Sequence, residues 1–308
     1  MIDAHFHCWQ LARGDYGWLT PELSPIYRDV SVAEWQRHAQ RWGIQGGVLV
    51  QAAPTAQETE FLLQQAQAKA QEQAQEQVQA QPHPTPPAVW GVVGWIDMLA
   101  PDAVAQVERC AERPLLKGLR PMLQDLPDPD WILQPAIQPV LSAMARRGLV
   151  FDALIKPVHL PRILALTQAH PDLTVVVDHG AKPAIDTNAM AQWAADLSAL
   201  ARATSPERVV CKMSGLLTEV PSTEWVAEGA GAAAMSGLQD RVRPWCQRLL
   251  DIWGPQRLLW GSDWPVLDLA ASYDAWRELT MQVLAGLTAQ EQAAILGENA
   301  RRIYRLSN

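Results

Sequence analysis

The chain has 308 residues, 48% of them hydrophobic, with 25 basic side chains against 33 acidic ones and a formal charge of −8. This length and apolar content suit one large domain with a substantial core, and the acidic balance argues against a general nucleic-acid surface. No window approaches the roughly 18 uninterrupted apolar residues of a membrane span, so no membrane partner is expected. The charge says nothing about a small-molecule substrate, because a local basic pocket can sit inside an acidic protein, and nothing in the composition speaks to oligomeric state.

The opening MIDAHFHCW has no basic or apolar leader character, and Cys8, Cys110, Cys211 and Cys246 lie far apart with no CxxC pair. Both features predict a cytoplasmic chain with reduced thiols.

In chain order, short apolar runs recur at 1–4, 47–50, 89–93, 115–119, 149–151, 173–177, 208–211 and 257–260. Stretches with helical apolar spacing lie between them, at 32–42, 101–112, 136–147, 159–169 and 188–203. Strands alternating with helices imply βα units and a parallel sheet, and eight such strands in this length predict a closed (β/α)8 barrel spanning 1–308 as one domain. Residues 64–81, QQAQAKAQEQAQEQVQAQ, are rich in good helix formers and precede PHPTPP at 82–87. They predict a solvated extension of the second helix that stops at Pro82. Helical spacing over 273–284 and 288–304 predicts the eighth helix and one extra C-terminal helix, the latter opened by a Thr288–Glu291 capping box.

Candidate chemistry lies at strand ends. Residues i and i+2 of a strand share a face, so His5 and His7 project together at the C-terminal end of the first strand, with Asp3 further down the same side. Two imidazoles there can bind a divalent cation or polarise a carbonyl, and can equally be two surface histidines. The sixth strand ends Val177-Asp178-His179-Gly180, and the eighth ends Gly261-Ser262-Asp263-Trp264-Pro265. A lone Asp263 reads first as a helix cap. Together with three imidazoles facing one mouth, it reads as part of a site. Other polar residues near strand ends that can meet a substrate are Gln51, Trp95, Asp97, Arg120, Gln124, Lys182 and Lys212, with Trp9 and Trp264 flanking the two strongest motifs. Arg120 and Lys182 suit recognition of hydroxyl or carboxylate groups.

IDAHFHCW, VVDHGAKP and GSDWP, in that order, resemble the amidohydrolase-2 branch of the amidohydrolase superfamily, and within it the sugar-lactone and dicarboxylate-lactone hydrolases. The likeness extends to GWIDMLAP at 94–101, LKGLRPMLQD at 116–125 and CKMSGLLTE at 211–219, so it covers nearly the whole chain outside the Gln-rich segment. The resemblance implies a lactone-opening hydrolase with His5, His7, His179 and Asp263 at metal-ligand or catalytic positions. Two-metal members add a lysine or glutamate from strand four and a histidine from strand five. Here Lys117 and Arg120 point to opposite faces, strand five has no histidine, and His159 falls beyond Pro157. The expected cofactor is therefore at most one divalent ion, zinc preferred, with Asp263 as general base. The rival readings are a zinc-dependent decarboxylase of the same branch and a barrel that binds sugar acids without turnover.

Overall fold

The computed structural model describes residues 1–78, 86–185, 189–221 and 232–307. Eight strands run in sequence order around one parallel sheet: β1 Ile2–Phe6, β2 Gly46–Val50, β3 Ala88–Gly94, β4 Leu116–Leu119, β5 Val150–Ala153, β6 Val175–Val177, β7 Val209–Met213 and β8 Leu258–Trp260. The connecting helices are α1 Val32–Arg41, α2 Ala56–Val78, α3 Ala103–Ala111, α4 Gln138–Arg147, α5 Leu160–Ala169, α6 Met190–Ala203, α7 Ala232–Trp253 and α8 Tyr273–Leu284. The chain is a (β/α)8 barrel, with all eight expected strands present.

The ring closes just beyond β8, where Asp263 N donates to His5 O and His7 N donates to Trp264 O, each at 2.8 Å. The buried Asp3 carboxylate locks this seam, accepting from Ser262 N (2.8 Å), Ser262 Oγ (2.7 Å), Trp35 Nε1 (2.9 Å) and the Tyr273 hydroxyl (2.9 Å). Asp3 thus faces α1 and α8 and not the histidine side expected for it. The β1–β2 register shifts between Asp3 and Phe6, and the irregularity breaks the alternation on which that expectation rested.

Ile2, Ala4, Val48, Val50, Val93, Val150, Val176, Val210 and Leu259 form a barrel-interior cluster with Ala300, Ile303, Tyr304 and Leu306 from the C-terminus. A larger apolar layer lies between strands and helices. The C-terminal element begins with the expected Thr288–Glu291 capping box, as α9 Ala289–Ala293. A π-helical turn over Ala294–Glu298 separates it from α10 Asn299–Ile303, so it is not one continuous α-helix. Asn299 Nδ2 ties this segment to β8 by donating to Leu258 O at 2.8 Å. Of the Gln-rich segment, α2 runs to Val78; the expected stop at Pro82 lies outside the described residues.

Candidate active site

The strand ends bring His5, His7, His179 and Asp263 together. His7 Nε2 lies 3.3 Å from Asp263 Oδ1, His5 Nε2 lies 3.6 Å from the same oxygen, and His179 Nε2 lies 3.8 Å from it. His5 and His7 meet through their Nε2 atoms at 3.2 Å. His179 and Asp263 both adopt left-handed backbone, with φ 51° and 58°. Non-glycine residues pay for that conformation, and such residues cluster at functional sites. Gly215 (φ +63°) lies beneath both, and a Cβ there would come within 2.5 Å of the His179 ring and 2.9 Å of Asp263 Oδ2.

Burial alone would push the Asp263 carboxyl up; the His179 imidazole, then the contacts with His7 and His5, reverse this and hold it below the ordinary carboxylate range. Burial pushes His179 down to about 4, against the opposing charges of Asp263 and Asp178. His5 is held well below the usual imidazole value, first by burial and then by the charge of Lys212. The site therefore presents an ionised Asp263 carboxylate beside two imidazoles, His5 and His179, that burial biases towards the neutral form.

These side chains fit a divalent metal. Bond lengths of about 2.0–2.1 Å around a tetrahedral ion set its ligand atoms roughly 3.3–3.4 Å apart, close to the separations found here. His7 Nδ1 lies 2.8 Å from Val50 O, a pure acceptor, so Nδ1 carries the proton and Nε2 turns its lone pair to the cluster. Among the described residues, two overlapping ligand groups, His5–His7–Asp263 and His5–Asp178–His179, share His5. Asp178 is already engaged by Arg120 Nη1 (3.1 Å) and Lys212 Nζ (2.9 Å), which favours the first group as the place for an ion.

Above the cluster lies a cleft of about 270 Å³, lined in part by His7, Arg120, Gln124, His179, Lys182 and Asp263. His5 is fully buried and lies outside this lining. Of the expected substrate contacts, Arg120, Gln124 and Lys182 reach the cleft, whereas Gln51, Asp97 and Trp264 do not line it. Gln51 is buried, its Nε2 donating to Arg120 O at 2.9 Å. Asp97 is exposed and caps its own turn, accepting from Leu99 N at 2.9 Å. Trp264 is buried near the His38 ring, 5.4 Å between centroids, which leaves His38 half-buried. Beyond a strand end the backbone turns, and alternation no longer fixes where a side chain points.

The cleft also includes Trp18, whose Nε1 donates to Ala52 O at 2.7 Å, and Glu219, which pairs with Lys182 at 2.6 Å. Neither stood out in the sequence as a site residue. The buried ions Asp152, Asp178 and Lys212 carried one visible signal: charged residues within or next to apolar strands, where burial demands a partner.

The amidohydrolase family model matches residues 2–306. The chain is 36% identical to an L-fucono-1,5-lactonase of Burkholderia ambifaria, over 99% of this chain and 95% of that protein. It is 34% identical to an L-fucono-1,5-lactonase of Burkholderia multivorans, over 99% and 96% respectively. A solved amidohydrolase from Burkholderia multivorans with bound zinc superposes with a TM-score of 0.82 at 31% identity, covering 99% of each chain.

Proposed function

The chain belongs to the amidohydrolase family, and on that premise we propose that it hydrolyses the lactone of a sugar acid. The carrying observation is the convergence of ionised Asp263 with His7 and His179 at a cleft of about 270 Å³ that also presents Arg120, Gln124 and Lys182. That space suits one small polar ring, and the two L-fucono-1,5-lactonase relatives support a hydroxylated lactone as the substrate class.

Asp263 takes a proton from water as the water oxygen bonds to the ring carbonyl carbon. The carbonyl electron pair moves onto its oxygen, towards the side of the cleft lined by Arg120 and His179, whose N–H groups stabilise the oxyanion. When the pair returns, the bond to the ring oxygen breaks and Asp263 passes its proton to that oxygen. The product is an open hydroxy acid, whose carboxyl group then ionises. Arg120, Gln124 and the Lys182–Glu219 pair orient the hydroxyl groups. A divalent ion held by His5, His7, His179 and Asp263 would supply Lewis-acid polarisation of the carbonyl, and the three-imidazole, one-carboxylate set suits zinc.

Four free thiols support a reducing cytoplasm as the location, and among the described residues no helix is long and apolar enough to cross a membrane. The test is a panel of hydroxylated five- and six-membered lactones, followed with a pH indicator for acid release above the spontaneous rate. Turnover on at least one is expected. Inertness across the panel, together with carbon dioxide release from an aromatic acid, would replace this reading with that of a decarboxylase.

A further inference from the structure

His5 has a second set of contacts that metal ligation does not require. On its Nδ1 side lies Lys212, a fully buried side chain of β7. Lys212 Nζ is 3.1 Å from His5 Nδ1 and 2.6 Å from Asp152 Oδ2. It is also 2.9 Å from Asp178 Oδ1, an oxygen that accepts no hydrogen bond, so this third contact is an ion pair out of line for one. Tyr304, from the C-terminal plug of the barrel, donates to the same Asp152 oxygen at 2.7 Å. An ammonium has three donors and no acceptor, so His5 Nδ1 can meet it only as an acceptor. A neutral imidazole then carries its single proton on Nε2.

The other side of the ring makes the same demand. His7 Nε2 is bare, because its Nδ1–H points to Val50 O, and Asp263 Oδ1 is an acceptor. His5 Nε2 lies 3.2 Å from the first and 3.6 Å from the second. Three lone pairs cannot face one another in a buried site, so either a proton or a cation stands among them. The opposing contact is Arg120 Nη1, 3.5 Å from His5 Nε2. It is longer than the Lys212 contact, and the same nitrogen already donates to Asp178 Oδ2 at 3.1 Å.

We propose that Lys212 is a positioning residue that places the His5 proton on Nε2, joining Lys212, His5, His7 and Val50 O in one directional hydrogen-bond chain that a divalent ion must break to bind. For His5 Nε2 to ligate an ion, its proton must move to Nδ1 and turn towards Asp178 Oδ1, which is 3.6 Å away. Lys212 must give up its contact with Nδ1 in the same rearrangement. Lys212 thereby weakens the ion site while keeping an N–H aimed into the cluster. This inference builds on the proposed site, although its test needs no lactone. A failed lactone panel would leave it standing, and its own failure would leave lactone opening untouched.

The test is nitrogen-15 NMR of the histidine rings in the full chain, stripped by chelator and held near pH ~8.5, well above the ~6.5 of an ordinary imidazole. With 7 histidines, His5 is assignable by the signals lost in His5→Gln. The expected pattern is a protonated Nε2 and a bare Nδ1 on His5; a protonated Nδ1 overturns the proposal. In Lys212→Met the proton is expected on Nδ1, and zinc, titrated against a competing chelator, should bind at least ~10-fold more tightly. A folded variant with the wild-type tautomer or no gain in zinc affinity also overturns it. If that variant does not fold, the wild-type tautomer alone decides.

Discussion

Arg120 and Asp178 form a buried ion pair, Nη1 to Oδ2 at 3.1 Å, while Arg120 Nη2 donates to the backbone carbonyl of Gln51 and, at 3.1 Å, to its Oε1. Arg120 therefore supports the floor of the cleft as well as lining it. Arg120→Ala leaves Asp178 short of one of its two cationic partners, and breaking a buried pair costs about 3–5 kcal/mol. The variant should melt roughly 5–8 °C lower. Its kcat should fall along with the rise in KM, because Lys212 and His5 share Asp178 with it. A change confined to KM at unaltered Tm would make Arg120 a substrate contact only.

Asp263→Asn keeps the shape and removes the base. The fold should survive, since Asp263 N still donates to His5 O, and kcat should drop at least ~100-fold. Circular dichroism and lactone kinetics on the same preparation decide it. Near-normal turnover by a folded variant removes Asp263 from the proton-transfer role.

Barrel and site differ in how far the amino-acid order reveals them. Runs such as Val175–Val177 must be buried on both faces, which announces parallel strands whatever surrounds them. The pairing of His5 with His7 was legible because i and i+2 share a face within a strand. Asp3 broke the same rule at a register shift that no composition signals. Lys212, Asp152 and Asp178 were visible as charges in or beside apolar strands, yet which neutralises which depends on how β5, β6 and β7 stack around the ring. Gln51 and Trp264 sit at strand ends like Arg120, yet Gln51 donates to Arg120 O and Trp264 packs near His38, contacts with distant parts of the chain that no spacing reveals.

Glu58 supplies a pH signature away from the chemistry. It is fully buried on α2 and accepts from Ala52 N at 3.0 Å to each oxygen and from Ala53 N. Burial pushes its carboxyl up to about 7, although the backbone hydrogen bonds favour the charged form. The folded chain thus holds this proton more tightly than the unfolded one. The associated stability is complete below an ordinary value of 4.5 and is lost as pH rises through about 7. The change is on the order of 3 kcal/mol. Glu58→Gln cannot titrate, so across that window its stability relative to wild type should improve with rising pH, whatever its fixed offset. Urea unfolding of both proteins at several pH values measures the slope; a pH-independent difference rules the assignment out.

Metal stoichiometry tests the ligand count. His5, His7 and Asp263 can surround one ion, with His179 proposed as a fourth ligand, and the second possible group among the described residues needs the same His5 and the already paired Asp178. On β4, Lys117 is directed away from the cluster, its Nζ 3.4 Å from Arg305 O, and on β5 Asp152 is held by Lys212 and Tyr304. Neither residue belongs to a candidate ligand group among the described residues. Elemental analysis after zinc loading and desalting should therefore find no more than one equivalent per chain, and His7→Asn should weaken zinc binding at least ~100-fold by removing the imidazole whose lone pair Val50 O orients. Stripping the ion should lower kcat if carbonyl polarisation limits turnover, and leave it nearly unchanged if proton transfer to Asp263 does. Two tightly held equivalents would mean that Asp178 exchanges its cationic partners for a metal, which overturns the one-ion site.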